Sequence, residues 1–249
     1  DFGTVAVPGI SYTGDVTTCL TAVGNTLYFL TNVSRIWKTD GTLGGTSMII
    51  DFRTVYNYST DFLGQLTNVN GTLFFTTGLD YTNGVELWKS DGTAAGTVMV
   101  KDINPGTGSG RPGNLTVVNG KLYFSASNGS GIHLWSSDGT VAGTQPVVNT
   151  GGAILPQTDI TPLTVVKNIL YFNAGTASTG NELYKYDPAN AAAGVSLVKD
   201  IVTGTAGGQP INMTALADKA IYFSAVNTMG KQELWKSNGT AGGTKLIKT

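Results

Sequence analysis

Five times along the chain a short apolar run appears in which hydrophobic residues stand next to one another instead of alternating with polar ones, as in Leu122-Tyr123-Phe124-Ser125-Ala126. Alternation marks a strand with one wet face, so a consecutive run predicts a strand buried on both faces. No segment carries a 3.6-residue period long enough for a helix. The third stretch shows the arrangement of the strands. Asn114-Leu115-Thr116-Val117-Val118 reads as a first strand, and Asn119-Gly120 as a two-residue type I′ hairpin, whose two central residues need positive φ. Leu122 to Ala126 is the second strand. After a Gly/Asn/Ser turn, Ile132-His133-Leu134-Trp135 is the third. The segment Asp138-Gly139-Thr140-Val141-Ala142-Gly143-Thr144 makes a tight turn into a fourth strand containing Pro146-Val147-Val148.

This four-strand unit is repeated. Ile36-Trp37-Lys38-Thr39-Asp40-Gly41-Thr42, Leu87-Trp88-Lys89-Ser90-Asp91-Gly92-Thr93, Leu134-Trp135-Ser136-Ser137-Asp138-Gly139-Thr140 and Leu234-Trp235-Lys236-Ser237-Asn238-Gly239-Thr240 are four copies of one motif. Leu183-Tyr184-Lys185-Tyr186-Asp187-Pro188 is a fifth, degenerate copy, and the aromatic residues are spaced 51, 47, 49 and 51 apart. Upstream of each copy lies an aromatic pair: Tyr28-Phe29, Phe74-Phe75, Tyr123-Phe124, Tyr171-Phe172 and Tyr222-Phe223. A four-stranded unit of this length, repeated and buried on both faces, predicts radially stacked sheets, because each sheet then covers its neighbour. The expected fold is all-β: a single five-bladed β-propeller with repeats at about 11–52, 53–103, 104–150, 151–201 and 202–249. A linear β-solenoid is the competing fold, although its coils are usually shorter. Residues 1–10 carry an extra copy of the fourth strand, Gly3 to Ile10, which either closes the ring or points to excision from a longer array, the reading favoured here.

The segment Glu86-Leu87-Trp88-Lys89-Ser90-Asp91-Gly92-Thr93-Ala94-Ala95-Gly96-Thr97, followed by Val100-Lys101-Asp102-Ile103, resembles the ELWxxDGT repeat family of large, secreted, repeat-rich bacterial surface proteins. The resemblance covers essentially the whole chain. It implies a secreted or surface-exposed binding or adhesion module, in a family generally without an assigned activity. Unit four departs from the pattern, with Tyr184 for Trp and Asp187-Pro188-Ala189-Asn190 in place of the Asp-Gly-Thr turn.

Composition narrows the function classes. The chain has 249 residues, a formal net charge of −1 and only 12% charged residues. So even a balance does not suit nucleic acid or an anionic membrane, since both select basic surfaces. The single Cys19 excludes internal disulfides and Cys-based metal sites, and the single His133 excludes multi-histidine sites. No apolar run is long enough to span a bilayer as a helix. High Thr, Gly and Asn with few Lys and Glu resembles secreted bacterial surface proteins, so an extracellular or cell-surface location is expected.

The motif's polar residues have structural readings. Asp40, Asp91 and Asp138 offer one carboxylate per turn, whereas calcium needs six to eight oxygens; the reading is therefore no cofactor, with calcium considered and not favoured. An Asp that accepts hydrogen bonds from its own turn, with Gly supplying positive φ, explains the motif better. The recurrent Trp is expected to fill space between sheets rather than stack on sugar. The motif's first position holds Glu86, Glu182 and Glu233, the only Glu residues, but Arg35 and His133 in the other units. A position that tolerates all three is expected at an edge or in solvent, which argues against His133 as a catalytic base. A glycosidase would need two convergent carboxylates, and nothing indicates that the non-repeat acids Asp15, Asp61, Asp80, Asp159 and Asp218 converge.

Strand order puts the regular Asn-Gly and Asp-Gly-Thr turns at one end of each sheet and the irregular loops at the other. Variable loops on a rigid scaffold are where binding usually resides. Non-motif aromatics concentrate in unit two, and Tyr56, Tyr58, Asp61, Phe62, Asp80 and Tyr81 form the candidate ligand site. Aromatic rings beside Asp and Asn suit a neutral sugar. The expected function is a non-enzymatic, lectin-like binding or adhesion module for carbohydrate, another surface polymer or a protein partner. A structural spacer or protein-interaction propeller in a longer adhesin is the alternative, and a glycoside hydrolase is less favoured.

Overall fold

The computed structural model describes residues 17–31, 34–56, 63–78, 83–148, 158–217 and 219–248. These form five four-stranded antiparallel sheets, each ordered as the chain runs, consistent with a five-blade propeller-like fold. Sheet one holds β1 (Thr17–Val23), β2 (Thr26–Thr31), β3 (Arg35–Thr39) and β4 (Ser47–Asp51), and a single-turn helix, α1 (Phe52–Tyr56), follows it. Sheet two holds β5 (Leu63–Val69), β6 (Thr72–Gly78), β7 (Val85–Ser90) and β8 (Val98–Lys101). Sheet three holds β9 (Gly113–Val118), β10 (Lys121–Ser127), β11 (Ile132–Ser137) and the short β12 (Gln145–Pro146). Sheet four holds β13 (Thr158–Val166), β14 (Ile169–Thr176), β15 (Gly180–Tyr186) and β16 (Ser196–Lys199). Sheet five holds β17 (Ile211–Leu216), β18 (Ala220–Val226), β19 (Gln232–Ser237) and β20 (Lys245–Lys248). The extra strand-like copy at residues 3–10 lies outside the described residues.

The chain divides into two compact units, one with sheets one and two together with residues 139–141, the other with the rest of sheet three and sheets four and five. In the first unit, Tyr28, Leu30, Ile36 and Phe52 share one core with Leu63, Leu66, Leu73, Phe75 and Trp88. In the second, Tyr123 and Leu134 pack with Ile160, Phe172 and Tyr184, while Tyr171, Leu183 and Val198 pack with Met213, Ile221 and Phe223. The second strands of sheets one to four are thus buried on both faces, as their consecutive apolar residues predict, with Phe75, Phe124 and Phe172 fully buried; in sheet five, β18 alternates buried and half-buried positions. Removing such a ring from water contributes roughly 1.5–3 kcal/mol. The Phe of each aromatic pair lies directly opposite the motif's aromatic residue: Phe29 opposite Trp37, Phe75 opposite Trp88 and Phe124 opposite Trp135. The Phe29 and Trp37 rings stack at 6.4 Å, and those of Phe124 and Trp135 at 6.5 Å. Trp88 and Trp135 are buried, which supports the space-filling reading for those two copies.

A polar latch joins neighbouring sheets within each unit. Lys38 Nζ donates to the Gly92 carbonyl at 2.9 Å, Lys89 Nζ to Gly139 at 2.9 Å and Lys185 Nζ to Gly239 at 2.8 Å. The lysine follows the motif aromatic, and its acceptor is the glycine of the next Asp-Gly or Asn-Gly turn. These glycines have φ near +90°, and a Cβ on them would meet the Tyr28 hydroxyl, the Phe74 ring tip or the Tyr171 hydroxyl respectively. Unit three breaks the rule on both sides at once. Ser136 replaces the lysine, the next turn is Asp187-Pro188, and Tyr123 and Tyr186 pack there with ring centroids 5.7 Å apart.

The turn itself is self-contained. Asp91 Oδ1 accepts from the Thr93 amide (2.9 Å) and hydroxyl (2.7 Å), and Thr93 Oγ1 accepts from the Gly96 amide. Asp40 and Asn238 make the same bonds with Thr42 and Thr240. A Cβ on Gly45 would collide with the Asp40 carboxylate, whereas one on neighbouring Gly44 meets nothing. Unit two already carries Ala95 at the position equivalent to Gly44. Gly45→Ala should therefore cost about 1–2 kcal/mol by displacing Asp40 from its hydrogen bonds, and Gly44→Ala should be neutral, as measured by urea unfolding.

Candidate functional site

The irregular end of the sheets is organised by the motif's first position. Glu86 sits on β7 opposite Thr77 and is fully buried. Its carboxylate reaches the loop leaving β8: Oε2 accepts from the Ile103 amide at 3.0 Å, and Oε1 from Gly110 at 2.7 Å and Asn104 at 3.4 Å. Glu182 repeats this, accepting from the amides of Ile201 (2.9 Å), Val202 (2.9 Å) and Gly208 (2.7 Å). The loop ends are then stitched to the third strand, since the Arg111 amide donates to the Val85 carbonyl and Gln209 to Asn181. Two loops of different sequence are so held in one shape by one buried carboxylate each.

This corrects the expectation that the position is exposed. Glu86 and Glu182 are fully buried, His133 is 3% exposed and Glu233 8% exposed. The position tolerates other residues because each unit meets the same need differently. Arg35 Nε pairs with Asp51 Oδ2 at 2.7 Å, and the Phe52 amide donates to the Ser34 carbonyl instead of to a carboxylate. At unit three, Ser130 Oγ lies 3.5 Å from His133 Nε2. The buried anchor was missed although a signal existed: all three Glu residues of the chain occupy this one position. The lysine latch was missed as well, and its acceptor is a backbone carbonyl.

The six candidate ligand residues are not brought together or separated by what is described. Tyr58, Asp61, Phe62, Asp80 and Tyr81 lie outside the described residues, as do Asp15 and Asp218. Tyr56 ends α1, and only its backbone is described. What is described is the framework that carries these segments. Residues 57–62 run into β5 at Leu63, and residues 79–84 join Gly78 of β6 to Val85 of β7. Leu63 pairs with Thr77 and Gly78 with Val85, so both segments attach at the same end of sheet two. That end also carries the loop anchored by Glu86.

The electrostatics follow from burial and hydrogen bonding. Burial pushes the Glu86 carboxyl up to about 7; the three backbone amides it accepts from oppose the rise, and the nearby Asp102 charge adds to it. Burial raises Glu182 in the same way. Asp40 and Asp91 are held below the ordinary carboxylate range by the hydroxyl and amide of Thr42 and Thr93. Among the described residues, no group of three or more His, Cys, Asp or Glu side chains is placed to hold a metal ion. No helix among them is long and apolar enough to cross a membrane.

No protein-family model and no curated protein matches the chain. Among solved structures, it is similar to a puromycin hydrolase variant complexed with PGG, with a TM-score of 0.58 and 12% identity over 96% of this chain and 39% of that one. It is also similar to TolB from Acinetobacter baumannii (TM-score 0.49, 12% identity, 97% of this chain and 54% of that one). A third is a Mycobacterium tuberculosis puromycin-hydrolyzing peptidase (TM-score 0.48, 13% identity, 98% and 39%). The chain thus spans well under two thirds of each of these proteins. The first likeness shows a shared fold.

The Glu86 geometry has a pH signature. A carboxyl that titrates near 7 when folded and near 4.5 when unfolded binds its proton more tightly in the folded state between those values. Stability should therefore fall as pH rises from about 4.5 to 7 and level off above. The Tm should drop by a few degrees between pH 5 and 8, and Glu86→Gln, which cannot titrate, should show a flatter profile.

Proposed function

We propose that the five sheets are the blades of a propeller-like scaffold whose irregular loop end binds a ligand, in a secreted or cell-surface adhesion protein. The single observation that carries this reading is the use made of the acidic groups. Glu86 and Glu182 are spent on backbone amides, and Asp40 and Asp91 on their own turns. Such groups fix loops; they do not face a substrate. A scaffold that invests its charged residues in loop shape suits recognition better than acid–base chemistry. A neutral carbohydrate is the ligand class proposed, because the loops that attach beside the Glu86-anchored loop carry Tyr56, Tyr58, Phe62 and Tyr81 with Asp61 and Asp80. Resemblance to the ELWxxDGT repeats supports the surface location.

The test is binding of the purified chain to a broad glycan and polysaccharide array, with and without calcium. A reproducible, calcium-independent hit is expected, and Tyr56→Ala with Tyr81→Ala should lower its affinity at least tenfold, about 1.4 kcal/mol. A calcium-dependent hit would instead place an ion in the loops. No glycan binding, or binding untouched by the double variant, would transfer the function to protein–protein interaction.

A further inference from the structure

In three sheets the motif's first residue stands against an acid at the end of the fourth strand. In sheet one the pair is Arg35 and Asp51, a cation opposite an anion. Arg35 Nε donates to Asp51 Oδ2 at 2.7 Å, and Asp51 Oδ1 accepts from the Arg53 amide at 3.0 Å. Sheets two and four build the same join from two anions. Leu87 pairs with Lys101 and Leu183 with Lys199, as Ile36 pairs with Ile50. One step further along the ladder, Glu86 stands against Asp102 and Glu182 against Asp200. Directly opposed residues have Cβ atoms about 4.5–5.5 Å apart, where like charges repel. Both glutamates are fully buried, and the charged groups acting on them are these aspartates.

The hydrogen bonds leave a gap in the same place at both sites. Oε1 of each glutamate accepts from two amides, Asn104 and Gly110 at Glu86, Val202 and Gly208 at Glu182. Oε2 accepts from a single amide, that of Ile103 or Ile201. Asp102 Oδ1 and Asp200 Oδ1 are buried and have no hydrogen-bond partner among the described residues. The other neighbours bring no charge: Thr77 lies opposite Glu86, Ala174 opposite Glu182, and Phe52 packs beside Phe75 and Trp88 on the Glu86 face. The loop backbone closes tightly here, since a Cβ on Gly110 or Gly208 would press on Oε2 of Glu86 or Glu182. Such a space suits a proton better than a hydrated cation.

We propose that each pair holds one shared proton, Oε2–H of the glutamate donating to Oδ1 of the aspartate, and that this hydrogen bond ties the following loop, residues 103–110 or 201–208, to its sheet. Loss of the proton to solvent leaves two opposed buried anions, and the loop loosens. Sheet one makes the same join with Arg35 and needs no proton. Burial, which raises both glutamate carboxyls, favours the protonated pair. The proton is held more tightly with the loop closed, so closure is strongest in acid and weakens as pH rises toward about 7 at Glu86. The device concerns loop order and holds whether or not the loop end binds sugar.

The test is amide hydrogen exchange of the full chain by NMR at about pH 5 and about pH 8, expressed as protection relative to the intrinsic exchange rate. Ile103, Asn104 and Gly110, and likewise Ile201, Val202 and Gly208, should lose protection at least about tenfold at the higher pH, while Phe52 and Arg53 keep theirs. Asp102→Asn removes one charge and supplies an amide donor to Oε2. In that variant the 103–110 loop should stay protected at both pH values, and the 201–208 loop should respond as in wild type; Asp200→Asn should do the reverse. The chain has only three Glu residues, Glu86, Glu182 and Glu233, so carbon-13 labelling resolves their side-chain carboxyls. Asp102→Asn should move the Glu86 titration to lower pH. Protection in the wild-type chain that does not change with pH, or an equal loss at Phe52 and Arg53, would overturn the proposal without recourse to any variant. A Glu86 titration left in place by Asp102→Asn would overturn it too and assign the carboxyl's behaviour to burial alone.

Discussion

A four-stranded sheet that is apolar on both faces cannot be left standing in water. The second strands of sheets one to four bury residues on both sides, with Phe75, Phe124 and Phe172 fully enclosed. The only sheets that can meet this requirement in series are ones that cover each other, so the packing between successive sheets carries the fold. Hydrophobic packing alone is non-directional. The lysine latch supplies direction: a donor at a fixed point of the third strand and an acceptor carbonyl at a fixed glycine set the offset of one sheet on the next. The glycine is required twice over, by its positive φ and by the aromatic tip beneath it. Where unit four loses the glycine, unit three loses the lysine, and a pair of tyrosines takes over the contact.

The polar residues divide the labour between the two ends of each sheet. At the regular end, Asp, Thr and Ser side chains close the turn on itself, with Ser90 Oγ and Thr97 Oγ1 2.8 Å apart and Thr97 bonded back to the Thr93 carbonyl. At the irregular end, a buried carboxylate gathers the amides of a loop that has no regular structure of its own. Burying a carboxylate is unfavourable unless its oxygens are satisfied, and three amides per group do so. The loops can then vary in sequence while their ends stay fixed, which is the property a recognition surface needs.

Much of this was legible in the sequence. The first three strand positions of unit three, the Asn119-Gly120 hairpin with φ of 50° and 74°, and the self-bonded Asp-Gly-Thr turn all follow from local rules, and local rules leave local signatures, whereas the fourth strand expected through Pro146-Val147-Val148 is limited to Gln145–Pro146. The latch was not legible, because a backbone carbonyl has no residue identity and its lysine lies some fifty positions away. Glu86 was misread for a different reason: variation at a position was taken for exposure. Arg35, His133 and the glutamates are alternative answers to one buried requirement, with Arg35 bringing its own counter-charge in Asp51. The aromatic loop residues from Tyr56 to Tyr81 were found by composition alone, and the described framework adds where their segments are attached.

The most direct test of the latch compares one substitution at four equivalent positions. Lys38→Ala, Lys89→Ala, Lys185→Ala and Lys236→Ala should be measured by urea unfolding of the dilute chain. The latch predicts a loss of about 1 kcal/mol for each of the first three and less than about 0.5 kcal/mol for Lys236, which is exposed and has no acceptor among the described residues. Equal losses at all four positions, or none at any, would contradict the claim that this hydrogen bond sets how one sheet seats on the next.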